Sequence, residues 1–341
     1  MVLNKLLGLF GKDLAMDLGT ANTLIFIKGK GVVLNEPSAV AVQRQNGKPV
    51  AVGKEAKEYL GRTNPSILAS RPLKDGVIAD FDLTRVMIRQ FITKVRTSAR
   101  LVKPRMLIGV PTGVTQVEKR AVIESAEQAG AREIFLIEEP MAAAIGAGLP
   151  IDKPQGSMVV DIGGGTTEVA VISMFATAYS ESVRVAGDEA NEAVMRLAQK
   201  KYQMLIGENT AEMVKIRIGS AAPLDQPLSM EVSGKDLVQG IPRTVTMNDE
   251  EVREALAEPV EVIVESVRRA FEKTPPELAS DVAEQGLVLA GGGALIRGLD
   301  RRISEELNMR VRIAEDPLTS VVMGAGIALQ NIKEYRRVFL N

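Results

Sequence analysis

Cysteine and histidine are both missing from these 341 residues. Without cysteine there is no disulfide, no zinc–thiolate site and no thiol nucleophile. Without histidine there is no Ser-His-Asp triad, and the usual metal ligand is gone. Any proton transfer must then run through carboxylates, lysine, tyrosine or water. Excess charge of either sign is missing too, with 42 basic residues against 43 acidic, so nothing points to a nucleic-acid partner. No stretch approaches the ~18–20 apolar residues of a membrane-spanning helix. The apolar start, Met1 to Phe10, is too short for a secretory signal and has no small-residue cleavage site. It fits either a segment resting on a membrane surface or a leader before the first strand.

The length suits roughly two domains, each with its own core. The centre of the chain is Val159 to Ile172, which reads strand, glycine turn, strand. Valine and isoleucine flank Asp161-Ile162-Gly163-Gly164-Gly165-Thr166-Thr167-Glu168 as buried strands require. Consecutive glycines let backbone N–H groups approach a bulky group. With two hydroxyls and one carboxylate they suit a phosphate chain and a divalent cation. An ordinary flexible hairpin has the same outline. A second copy separates the two: Asp17-Leu18-Gly19-Thr20-Ala21-Asn22-Thr23 precedes an apolar strand, and the two aspartates stand 144 positions apart. One domain length between similar hairpins predicts a duplicated α/β fold whose halves face each other across a cleft.

Strands and helices alternate through both halves. Short strands are expected over 31–34, 38–42 and 49–53, with a short helix over 54–60. A polar, turn-rich loop follows over Arg71–Asp80, then a helix over about 83–96. Met106–Pro111 and Glu133–Ile137 read as buried strands. Thr115-x-x-Glu118 opens a helix with a capping box, and Asn248-Asp249-Glu250-Glu251 has the pattern of another. Helices are also expected over about 189–205, 210–219 and 249–273, the last ended by Pro275-Pro276. A further echo joins Glu139-Pro140…Gly146-Ala147-Gly148 to Asp316-Pro317…Gly324-Ala325-Gly326. Two proline-started helices of small residues are expected to pack closely between the halves and to serve as hinges.

A third glycine turn, Gly291-Gly292-Gly293, lies between a strand and a helix, where the backbone can lie flat against a nucleoside. Neither a P-loop nor a dinucleotide fingerprint is present. Together, Asp-Leu-Gly-Thr, Glu-Glu-Pro-Met-Ala-Ala-Ala-Ile-Gly, Asp-Ile-Gly-Gly-Gly-Thr-Thr-Glu and Ala-Gly-Gly-Gly-Ala-Leu-Ile resemble the actin, sugar-kinase and heat-shock-chaperone ATPase superfamily. Asp-Leu-Gly-Thr-Ala-Asn-Thr, Leu-Asn-Glu-Pro-Ser at 34–38 and the 71–80 loop are similar to the MreB family of bacterial actin homologues, over about 12–335.

The resemblance implies an actin-like ATPase fold. One domain would span 1–149 with a smaller subdomain about 32–75, the other 150–341 with one about 188–250. It implies ATP with Mg2+. Gly19, Thr20, Ala21 and Asn22 would form the first phosphate loop, and Gly163, Gly164, Gly165 and Thr166 the second. Asp17 and Asp161 would hold the metal, largely through water. Glu212 and Lys215 match the nucleoside helix, although by spacing alone they are equally an i,i+3 surface pair. Gly292, Gly293, Ala294 and Leu295 match the adenosine loop. Glu139 would place the attacking water, with Thr166 as helper, while Glu138 points elsewhere. Slow turnover is expected, because metal, backbone donors and water placement would carry the reaction.

The resemblance further implies head-to-tail self-assembly into antiparallel double filaments at the inner face of the cytoplasmic membrane. Guidance of cell-wall synthesis and rod shape would follow, with RodZ and wall-elongation proteins as partners. Leu101 and Val102, beside Lys103 and Arg105, match the family's membrane loop; by their own chemistry they also suit a core position before a strand. A paralogue of the Mbl type shares the motifs. A small-molecule kinase of the superfamily would need a sugar-binding insertion, and a chaperone a peptide-binding domain after the ATPase core. Neither is legible in this chain. The membrane reading predicts that Leu101→Ser with Val102→Ser abolishes liposome flotation and leaves ATP affinity unchanged. Unaltered flotation excludes it.

Overall fold

The computed structural model describes residues 13–95 and 103–340. Met1–Phe10, Leu101 and Val102 lie outside the described residues. The first half begins with β1 (Leu14–Leu18), paired antiparallel to β2 (Asn22–Ile27), which pairs in turn with β3 (Gly31–Pro37). A small sheet, ordered β5-β4-β6, is made from β4 (Val40–Gln43), β5 (Pro49–Val52) and β6 (Ile67–Ser70), with α1 (Lys54–Tyr59) packed on it. Inside the expected 71–80 loop, β7 (Leu73–Lys74) and β8 (Val77–Ile78) form a tight hairpin. Its turn residues Asp75 and Gly76 both have positive φ, as two-residue hairpins require. Then come α2 (Phe81–Val95), β9 (Arg105–Val110), α3 (Gln116–Gln128), β10 (Glu133–Glu138) and α4 (Glu139–Gly146). β9 and β10 add in parallel, giving the order β10-β9-β1-β2-β3.

The second half repeats this. β11 (Ser157–Ile162), β12 (Thr167–Ser173) and β13 (Ala176–Val183) form the antiparallel meander. Then follow α5 (Gly187–Tyr202), β14 (Met204–Leu205), α6 (Glu208–Ile218), β15 (Ser229–Asp236) and β16 (Pro242–Asn248). α7 (Asp249–Lys273) and α8 (Pro276–Gln285) lead to β17 (Leu287–Ala290), a 3-10 turn at Gly292–Leu295, α9 (Leu299–Leu307) and β18 (Val311–Ile313). β17 and β18 add in parallel, giving β13-β12-β11-β17-β18. The two sheets therefore share one topology, as the doubled hairpin predicts. Every residue of β11 is buried, consistent with its unbroken apolar run.

Local signals held where they are local. Thr115 accepts from the Glu118 amide at 3.3 Å, and Glu118 accepts from the Thr115 amide at 2.8 Å, closing the capping box. At Asn248 the side chain accepts from the Glu251 amide at 2.9 Å, and Glu251 also accepts from the Asn248 side-chain amide, Tyr202 and Lys201. Asn248 is still part of β16. Pro275-Pro276 ends α7 as expected, yet Pro276 also opens α8, because a first helical position has no use for its missing N–H. β6, β13, α8 and β18 stand where no separate element was expected.

The two small-residue helices, α4 and α10 (Ser320–Gln330), cross between the sheets. A Cβ on Gly146 would lie 1.9 Å from the Ser320 carbonyl oxygen, and one on Gly324 would lie 1.8 Å from that of Ala142. Backbone meets backbone, so each glycine is a steric necessity. The surrounding core joins Leu24, Phe26 and Leu107 of one sheet to Val159, Ala170 and Ile172 of the other. The tail, whose role the sequence does not reveal, continues through α11 (Ile332–Tyr335) to the edge of β10. There Ile137 pairs with Phe339, and Phe339 stacks on Phe135 at 5.2 Å.

Overpacking at such a contact costs about 1–3 kcal/mol or more. Gly324→Ala is therefore expected to lower unfolding stability by at least about 2 kcal/mol in denaturant melts. Gly207→Ala is the control: its φ is −81° and a Cβ meets nothing within 4 Å. It should cost no more than about 1 kcal/mol. Equal effects at both positions would contradict the helix-crossing account.

Candidate functional site

β1 and β11 end side by side at the base of a cleft of about 400 Å³ between the halves. Asp17 and Asp161 sit at those strand ends and both line the cleft. The turns after them touch: a Cβ on Gly164 would lie 2.7 Å from Ala21 Cβ. Gly19 is similarly confined, since a Cβ there would lie 2.8 Å from the Asn22 carbonyl oxygen. Gly163 donates to the Thr166 carbonyl at 2.9 Å and closes the second turn. Thr20, Ala21, Asn22 and Thr166 also line the cleft. The Thr20 hydroxyl accepts from the Gly76 amide at 3.0 Å, tying the 71–80 hairpin to the first turn.

Glu139 is the first residue of α4, fixed there by Pro140, and it lines the cleft with the two aspartates. Glu138 turns away and accepts from Thr177 at 3.4 Å. Thr166 and Glu139 share the cleft, and among the described residues no hydrogen bond joins them. On the opposite wall, Glu212 and Lys215 of α6 do not pair with each other. Glu212 takes Lys57 at 2.5 Å, and Lys215 donates to the Gly187 carbonyl at 2.8 Å. Burial lowers the Lys215 pKa. Gly292, Gly293 and Leu295 line the far wall with Ile216 and Leu318. Gly293 lies so close to Ile162 that a Cβ would fall 2.1 Å from its Cγ2.

Two residues assigned to the loops do not line the cleft. Gly165 faces the 71–80 hairpin, where a Cβ would lie 2.8 Å from Asp75 Cα. Ala294 is fully buried in the core of the second half. Their motif positions serve packing: one lets the hairpin close, the other seats the 3-10 turn.

The electrostatics are one-sided. Burial pushes Asp161 up to about 7. Burial, then the charge of Asp161, pushes Asp17 to about 7. Glu139 stands well above the usual carboxylate range through burial, then Glu168, Asp17 and Asp161. Asp17 and Glu139 keep part of their surface toward the cleft, so the desolvation is that of a deep, narrow cleft and not of a sealed core. Sequence reasoning missed Glu168, which is 1% exposed and accepts from the Thr112 amide and hydroxyl and from Ser182. Burial still lifts it to about 8. Its signal was available: the register pairs Asp17 with Leu24 but Asp161 with Glu168, a charge where the repeat has leucine.

Among the described residues, no ion-pair partner reaches Asp17, Glu139 or Asp161, and no three acidic side chains converge as direct metal ligands. Uncompensated carboxylates beside glycine turns rich in N–H donors fit a hydrated divalent cation carried with phosphates. The apolar wall of Ile216, Leu295 and Leu318 fits the flat face of a base.

Comparisons with known proteins identify the chain's relatives. The sequence profile described as MreB/Mbl protein matches residues 11–337. The cell shape-determining protein MreB of Escherichia coli (strain K12) is 56% identical over 336 residues, covering 97% of each chain. The cell shape-determining protein Mbl of Bacillus subtilis (strain 168) is 48% identical, covering 95% of this chain and 97% of that one. MreB5 of Spiroplasma citri, solved bound to ADP, superposes with a TM-score of 0.90 at 36% identity, over 95% of this chain and 98% of that one. A second structure of that protein is bound to AMPPNP.

Unfolded aspartates and glutamates lose their protons near pH 4. In the fold, Asp17 and Asp161 keep theirs to about 7 and Glu168 to about 8. Between those limits the folded chain binds more protons, so its stability falls as pH rises. The melting temperature of the ligand-free protein is expected to drop by several degrees from about pH 5 to about pH 8. Asp161→Asn should remove part of the drop. A melting temperature that rises across this range contradicts the assignment.

Proposed function

The chain belongs to the MreB/Mbl family, and we propose that it is a cell-shape-determining, actin-like cytoskeletal protein that binds ATP with Mg2+ in the cleft between its halves. One observation carries the reading: two Asp–Gly–Thr hairpins from duplicated sheets abut, with their carboxylates unpaired. The nucleotides bound to Spiroplasma citri MreB5 support it.

Each part has a physical task. The amides of Gly19–Asn22 and of Gly164 hold phosphate oxygens from opposite sides, while the Gly163 amide, bound to the Thr166 carbonyl, keeps the second turn closed. Asp17 and Asp161 are the residues that would hold Mg2+, which would supply charge neutralisation at the phosphates. Glu139 accepts a hydrogen bond from the attacking water and orients it, with Thr166 beside it. The glycine backbone at Gly292-Gly293 lets the nucleoside lie close, and Glu212 and Lys215 flank it. Without histidine, water placement rests on carboxylates, so hydrolysis is slow and works as a timer for the filament.

The remaining steps extend the family reading. The ATP-bound form assembles head-to-tail, and contacts that do not close into a ring give open filaments, paired antiparallel. Leu101 and Val102 dock the filament on the inner face of the cytoplasmic membrane. There it guides cell-wall synthesis through RodZ and wall-elongation proteins. Among the described residues no helix is long and apolar enough to cross a membrane, and surface docking does not require one.

Calorimetry and phosphate release test the site. Asp161→Ala is expected to abolish ATP binding. Glu139→Ala should leave binding and filament formation intact, as seen by electron microscopy on lipid, while slowing phosphate release by about 100-fold. Normal turnover in Glu139→Ala would remove it from the reaction, and undiminished binding in Asp161→Ala would remove the cleft from nucleotide recognition.

A further inference from the structure

Two cations of the first half reach over the mouth of the cleft to the second. Arg71 donates to Asp188 at 2.7 Å, pairs with Glu208 and donates to the Thr20 carbonyl at 3.3 Å. Lys57, on α1, donates to Glu212 Oε2 at 2.5 Å. This second pair is unlike an ordinary surface contact. Its partners come from elements 155 positions apart, and their side chains are only 35% and 30% exposed. Among the described residues no cation of its own half forms an ion pair with Glu212: Lys215, one turn away, feels its charge but is bound to the Gly187 carbonyl. Gly187 in turn abuts the second phosphate turn, since a Cβ on it would lie 3.2 Å from the Gly163 carbonyl oxygen.

That neighbourhood fixes what Glu212 can meet. It lines the cleft between the phosphate turns and the apolar base wall, one helical turn from the residue that touches Gly187. In a nucleotide the group between phosphate and base is the sugar. A carboxylate only accepts hydrogen bonds, and ribose hydroxyls donate them. Oε2 is committed to Lys57, and among the described residues Oε1 has no hydrogen-bond partner.

On the nucleotide reading given above, we propose that Lys57 is a positioning residue: it fixes the Glu212 carboxylate so that the second oxygen accepts from a ribose hydroxyl. Lys57 belongs to the opposite half, so the sugar site is complete only when the smaller sheets of the two halves meet. A part-exposed ion pair contributes little energy by itself. Its effect here is geometric, removing the rotamer freedom that Glu212 would otherwise lose on binding the sugar.

The test compares ATP, 2′-deoxyATP and 3′-deoxyATP affinities for the full chain by calorimetry with Mg2+. The unmodified protein is expected to prefer ATP over at least one deoxy analogue by about tenfold, the worth of one hydrogen bond to a charged group. Lys57→Met should bring that preference below about threefold at unchanged melting temperature, and Lys57→Arg should retain it. A preference that survives Lys57→Met, or affinities for all three nucleotides that fall in parallel, overturns the role of Lys57. Equal binding of all three by the unmodified chain overturns the ribose contact. Failure of the unmodified chain to bind ATP at all overturns the nucleotide reading and this role with it.

Discussion

The contact between α4 and α10 sets the geometry of the molecule. Gly146 and Gly324 let two backbones touch, and no side chain separates them. The helices fill the space between the two sheets, so their separation decides how close the sheets come. α4 begins at Glu139, directly after β10, and β1 and β11 end at Asp17 and Asp161. A wider helix pair would move these carboxylates apart and open the floor of the cleft. Gly109 belongs to the same constraint, because a Cβ on it would lie 3.2 Å from Val321 of α10 and 3.5 Å from Glu139 Cγ. The packing that joins the halves therefore also places the cleft carboxylates.

That placement opposes stability. Asp17, Glu139, Asp161 and Glu168 are desolvated near one another, and each is less stable ionised than in water. Glu168 is partly relieved by Thr112 and Ser182, while the others have no comparable protein partner among the described residues. Neutral pH thus leaves the ligand-free fold holding protons it would release unfolded. A cation arriving with phosphates reverses the balance by favouring the ionised carboxylates. Whatever binds only the closed, folded arrangement stabilises it by mass action.

Much of this was legible in the sequence because it is local or repeated. The two hairpins share turn chemistry and spacing, and both sheets follow from that repeat. The Thr115 capping box and the proline start of α4 involve contacts only a few residues apart, whereas α10 begins at Ser320, three residues after Pro317, and so lacks the expected proline start. The illegible parts join distant residues. Nothing near Lys57 or Glu212 in sequence announces a contact over 155 positions. Gly165 and Ala294 sat in the right motifs, yet their surroundings turn them to packing. β13 was missed for another reason: its two faces are mostly half-exposed, so it lacks the apolar run that marks β11 and β12. Glu168 was readable only by laying one hairpin over the other and asking why leucine had become glutamate.

The duplicated architecture divides the cleft between the halves. Each half supplies one glycine turn and one strand-end aspartate, and neither half encloses the cleft alone. The floor of the cleft is set by the glycine crossing of α4 and α10. The mouth is bridged by Lys57 and Arg71. These restraints differ in kind: the floor is close-packed backbone, which resists displacement, whereas the mouth is a few part-exposed ion pairs, which exchange readily with water. Opening at the mouth about a fixed floor is then the motion of lowest cost. A ligand lying in the cleft between the two glycine turns and the apolar far wall would act at the weak end of that lever, and the two smaller sheets that carry Lys57 and Glu212 would move with it.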